Sequence, residues 1–132
     1  MKDRGLEILK ELLVDESELN ERLLVDVLKE FVKVEKISGN LIFTEKFDRL
    51  NSRQKLIIVS LAMKAKWRLK MVKTEKMKPK DFEVLTGLPG NTIRPALKEL
   101  RKYNIFSCDK EGYWISNANL YKAKNFVTKS KK

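Results

Sequence analysis

Side chains able to do covalent chemistry are scarce in this chain. It has no histidine and a single cysteine, Cys108. It also lacks a glycine-rich phosphate loop and any paired-carboxylate motif, so no enzyme, catalytic residue, cofactor or metal site is expected. Glu7, Glu11, Glu18 and Glu21 recur at helical intervals and read as the wet side of N-terminal helices. The spacing does permit binding of an anion. Residues 86–102 read TGLPGNTIRPALKELRK, so that Asn91, Thr92, Arg94, Lys98, Arg101 and Lys102 follow a Gly-Leu-Pro-Gly break. At about 100° per residue, with Ile93 at 0°, Leu97 and Leu100 fall within about 40° of it. Asn91, Arg94, Lys98, Arg101 and Lys102 gather at about 80–180°, and the only acid, Glu99, lies at about 240°. One flank of this helix is therefore apolar and the adjoining flank basic. That geometry suits the major groove of a duplex, with N-terminal residues at base edges and cations at phosphates.

The flanking elements must hold that helix in place. Pro79 to Thr86 predicts a helix of about two turns that Gly87 ends, because glycine takes the left-handed conformation at little cost. Leu88 can drop between two helices, and Pro89-Gly90-Asn91 turns the chain. Ile93, Ala96, Leu97 and Leu100 then form a buried stripe. Pro95 is compatible with a first turn only if the helix begins late. The expected helix therefore spans 91–103, with Asn91 as its cap, Thr92 first and Pro95 fourth. Helix, glycine-containing turn and helix make a helix-turn-helix. Ile105 to Cys108 and Tyr113 to Ile115 predict a hairpin about Asp109-Lys110-Glu111-Gly112. A capped helix over residues 53–72, opened by Asn51-Ser52, precedes the whole.

LTGLPGNTIRPALKELRKYNIF, followed by EGYWI, resembles the winged helix-turn-helix domains of bacterial and archaeal transcription regulators. The match is carried by Gly87, Leu88, Pro89, Asn91, Thr92, Ile93, Arg94, Leu97 and Leu100; Pro95 departs from it, standing where Arg or Lys is common. With the helix at 53–72 the resemblance covers a little over half of the chain. It implies DNA binding through Asn91, Thr92, Arg94 and Lys98, with Arg101 and Lys102 on the same flank and Lys110 at the tip of the wing. Alternatives are a winged helix used as a protein-interaction module and an RNA-binding protein.

Charge supports a polyanionic partner. Residues 1–50 hold 9 Lys/Arg against 12 Asp/Glu, whereas residues 51–132 hold 20 against 6. A Lys-rich surface serving solubility alone would spread both signs evenly; this concentration points to nucleic acid. The longest apolar run, Leu56 to Met63 broken by Ser60, is far too short to span a bilayer. No signal peptide is read at Met1-Lys2-Asp3-Arg4, and a lone cysteine forms no internal disulfide, so a cytoplasmic location is expected.

The expected fold class is α+β and mainly α, a winged helix-turn-helix with an N-terminal helical extension and β-hairpin. The expected organisation is an acidic region over 1–50, the winged helix-turn-helix over 51–120 and a basic tail over 121–132. Helices are expected over 5–14 and 17–33, the second with a stripe from Leu19 to Val32 that reads first as core. Val32 to Val34 and Leu41 to Phe43 predict a hairpin about Ser38-Gly39-Asn40. The stripe is wide for a small domain, which makes these helices the expected surface of a homodimer. A degenerate second winged helix over the N-terminal half is the other reading. Such pairing would set two recognition helices about 34 Å apart on a two-fold site in double-stranded DNA. Lys122, Lys124, Lys129, Lys131 and Lys132 are expected in a frayed tail, either as a solvated terminus or as further phosphate contacts. Trp67, Trp114 and Cys108 read as core, core-edge and strand residues.

Overall fold

A computed structural model describes residues 3–129 of the protein. Seven α-helices and two antiparallel hairpins are present among the described residues, an α+β arrangement that is mainly helical. The central element is α4 (Ser52–Arg68), buried from Leu56 to Ala62 without a wet face. Its start is fixed reciprocally: the Asn51 side chain accepts from the Gln54 N–H, and Gln54 Oε1 accepts from the Asn51 N–H. The same Gln54 donates through Nε2 to the carbonyl of Val127, 3.1 Å away, pinning α7 (Leu120–Lys129) to α4.

Around α4 pack α2 (Glu16–Leu28), α5 (Pro79–Thr86), α6 (Gly90–Lys102) and α7, and their apolar faces merge into one core running from Leu24 to Val127. Strands β1 (Val32–Val34) and β2 (Leu41–Phe43) pair with Val32 opposite Phe43. Strands β3 (Ser107–Asp109) and β4 (Gly112–Trp114) pair with Cys108 opposite Tyr113. Met77, ahead of α5, adds a bridge to Tyr113 through N–H···O bonds of 3.0 and 2.7 Å. Gly112 makes that approach possible: its φ is +140°, and a Cβ there would stand 2.6 Å from the Met77 carbonyl oxygen. A buried ion pair braces the segment between α4 and α5, with Lys64 Nζ 2.7 Å from Glu75 Oε1 and 3.3 Å from Asn117 Oδ1.

Several expectations change. The N-terminal helix forms as α1 (Arg4–Leu9), continued by a 3-10 turn at Lys10–Leu12, but none of its residues is buried. In α2 only Leu24, Val27 and Leu28 are buried, Leu19 is exposed, and the helix ends five residues early, because β1 starts at Val32. The long helix stops at Arg68, short of Val72, where Lys70 takes a φ of +63°. A short helix, α3 (Glu45–Asp48), was not expected; it buries Phe47, stacked 4.3 Å from Phe43. The tail is not frayed as far as Lys129: it is α7, with Leu120, Ala123 and Val127 buried against the core. Lys131 and Lys132 lie outside the described residues. Trp67 is 39% exposed, whereas Trp114 is half-buried beneath Lys76, whose ammonium sits 4.5 Å from the ring centre.

Candidate nucleic-acid interface

The connection between α5 and α6 sets up the site. Gly87 closes α5 in the left-handed conformation, φ +74°, with its N–H bonded to the Glu83 carbonyl at 2.8 Å. The Thr86 hydroxyl donates to the Phe82 carbonyl and accepts from the Leu88 N–H, which holds Leu88 half-buried between the helices. Helix α6 then begins earlier than Asn91. Thr92 and Ile93 N–H groups both reach the Pro89 carbonyl, at 3.0 and 3.1 Å, so the chain is already turning at Gly90 and Pro89 is the cap. The correction has a local cause: proline's fixed φ, here −71°, suits the cap position, where no N–H is required. Asn91 therefore lies within the first turn, and Pro95 falls in the second, where its missing N–H withdraws the bond due to the Asn91 carbonyl.

Ile93, Ala96, Leu97 and Leu100 are buried as expected, which fixes the rotation of α6. Asn91, Arg94, Lys98, Arg101 and Lys102 are exposed and Thr92 is half-buried, all on this helix. Lys110 is set apart from them at the β3–β4 turn. Among the described residues no carboxylate lies within ion-pair distance of Arg94, Lys98, Arg101, Lys102 or Lys110. The Arg94 guanidinium lies back over the first turn, where it would meet a Cβ built on Gly90 at 2.8 Å, and the Glu83 carboxylate of α5 reaches the same point, its Oε2 3.3 Å from that Cβ. Glu99 is taken out of play. Arg53, at the start of α4, pairs with it, and that hydrogen bond, with a second from the Tyr103 hydroxyl, holds its carboxyl below the usual carboxylate range.

The hairpin is less basic than the helix. At its tip Lys110 stands between Asp109 and Glu111. Lys76 donates to Asp109, which lowers the Asp109 pKa and raises that of Lys76, and the Glu111 N–H lowers Asp109 further. Burial first, then Cys108 across the hairpin, pushes the Tyr113 phenol up, while Arg101 pulls it down. Cys108 is a half-buried strand residue.

Sequence reasoning missed one contributor, Arg53, and left Lys122 between a phosphate contact and a solvated terminus. Lys122, in the first turn of α7, donates to the carbonyl of Tyr103, the residue that follows α6, 3.4 Å away, so this cation joins Arg101 and Lys102. The signal was present in the spacing of Leu120, Ala123 and Val127, but a run so rich in lysine concealed it. Arg53 was missed because nothing local couples it to Glu99, 46 residues on. Comparison of the chain with protein-family models, curated proteins and solved structures gives no match.

Proposed function

We propose that the protein binds duplex DNA through α6 and regulates transcription, as a winged helix-turn-helix with β3–β4 as its wing. The observation that carries this is the composition of one helix flank: Asn91, Arg94, Lys98, Arg101 and Lys102 are exposed, and among the described residues no acid lies within ion-pair distance of these cations. The order of α4, α5, α6 and hairpin, with Met77 bridged to the returning strand, supports the same reading. Arg94 and Asn91 stand at the first turn for base edges and backbone, and Lys98, Arg101, Lys102 and Lys122 follow for phosphates. The wing contributes little, because Lys110 is flanked by two acids. Pairing of two copies through the N-terminal helices would present two such helices to a two-fold site.

Fluorescence anisotropy with a labelled duplex tests the assignment. Arg94→Ala and Lys98→Ala should each weaken binding by about 1.5–3 kcal/mol, the range for charge-assisted hydrogen bonds, with an unchanged circular dichroism spectrum. Equal affinity of both variants and the wild type would refute the role of α6. The acidic wing tip favours, as second reading, a winged helix that docks on a basic protein; it predicts no duplex binding even at low salt.

A further inference from the structure

The N-terminal arm is folded but covers nothing. Leu6, Ile8, Leu9, Leu12, Leu13 and Val14 are 55–76% exposed; the first four belong to a helix and turn without a single buried residue, and Leu13 and Val14 follow in extended chain. A groove of about 440 Å³ lies further along the same half of the molecule, where α2, β1 and the end of α4 meet. Val25, Leu28, Val34 and Leu69 form its apolar floor, and Val25 and Leu69 are largely exposed. Its rim carries Lys29, Lys33 and Arg68; Arg68 pairs with Glu21 at 2.7 Å and Lys29 lies 4.0 Å from Asp26, which leaves Lys33 as the rim cation without an ion pair among the described residues. The arm has the opposite balance, with five acids and two bases over residues 3–16.

We propose that the occupant of this groove is the arm of a second copy, exchanged reciprocally about a two-fold axis. This deepens the pairing invoked above, yet it does not require DNA. The charges complement each other: Glu11, which has no ion-pair partner among the described residues, meets a rim where Lys33 also has none. The areas agree as well. Six large apolar side chains at roughly 100 Å² each give each arm roughly 600 Å² to bury. Two arms, with the groove walls they cover, reach the about 1,200–2,000 Å² of a stable interface. A two-fold exchange uses the same arm and groove on both copies, so the contact closes at two chains.

Sedimentation of the full chain without DNA reads this directly. The expected species has twice the 15.5 kDa chain mass. Leu9→Asp in the arm and Val25→Asp in the groove should each weaken dimerisation about 30-fold or more, the scale of an interface hot spot. Both positions are exposed in the single chain, so secondary structure and urea stability of the monomer should be unchanged. Mixing the two variants should recover heterodimers through the one intact arm-groove pair. Lys33→Glu and Glu11→Lys should each weaken the dimer, and their combination should restore it. A wild-type chain that stays monomeric, through an arm folded on its own groove or otherwise, would overturn the proposal. So would a dimer lost in Leu9→Asp but kept in Val25→Asp, the outcome of arm-on-arm pairing. Neither result bears on whether α6 binds DNA, which anisotropy reads separately.

Discussion

Replacing Gly112 with alanine isolates the contact that fastens the β3–β4 hairpin to the segment ahead of α5. The cost has two sources. A φ of +140° is open to glycine and strained for alanine, at about 1–3 kcal/mol. The new methyl would also stand 2.6, 2.7 and 2.9 Å from the oxygen, carbon and nitrogen of Met77, all backbone atoms that cannot swing aside. Relief requires Met77 and Tyr113 to separate, which forfeits two hydrogen bonds worth about 1 kcal/mol each. Reduced entropy of the unfolded chain returns about 0.4–1 kcal/mol. A loss of roughly 2–5 kcal/mol follows. Gly87→Ala is the matched control: φ is +74° but nothing lies within 4 Å, so only the left-handed penalty of about 1–2 kcal/mol applies. Urea unfolding followed by tryptophan fluorescence compares the two, since Trp114 belongs to β4 itself. A Gly112→Ala protein no less stable than Gly87→Ala would refute the reasoning.

Other perturbations have equally specific outcomes. Glu75→Ala strands the Lys64 ammonium, only 3% exposed, and should cost about 3–5 kcal/mol in urea unfolding; Lys64→Met with Glu75→Leu should recover most of it. Asp109 has a depressed pKa, held down first by Lys76, so its contribution is present above the ordinary carboxylate range and fades as pH falls through the folded value. The wild-type hairpin should accordingly loosen towards acid, read from Trp114 fluorescence, and Asp109→Asn should show a flatter profile from pH 5 downward. Lys122→Glu should weaken duplex binding at low salt without loss of helix, because Lys122 reaches α6 through an exposed contact with the Tyr103 carbonyl.

Much of this arrangement was legible because local chemistry dictated it. Asn51-Ser52 announces the start of α4, Gly87 the end of α5, and the stripe Ile93, Ala96, Leu97, Leu100 the buried side of α6. The charged flank of α6 followed from that stripe, since fixing one side of a helix fixes the other. Boundaries were less legible where two local rules competed. Pro95 argues for a late start to α6, yet the Pro89 carbonyl collects two N–H groups and starts it at Gly90. Burial was illegible where tertiary contacts decide it. The apolar residues of α1 recur at helical spacing as those of α2 do, but none of them is buried, whereas α2 packs on α4 and buries Leu24, Val27 and Leu28. Likewise Lys64 and Lys66 are two residues apart and chemically identical, and only Lys64 meets Glu75 and goes inside.

The central claim is that cations of α6 meet the phosphates of a duplex, and the salt dependence of binding tests it most directly. Anisotropy titrations of a duplex of about 30 base pairs from 50 to 300 mM salt give the slope of log K against log salt. Lys98, Arg101, Lys102 and Lys122, the cations assigned to phosphates, predict a slope of about −3.6 for each α6 engaged, at about −0.9 per phosphate neutralised, and Lys98→Ala should reduce it by about one unit. No binding at 50 mM salt, or a slope that Lys98→Ala leaves unchanged, would contradict the account.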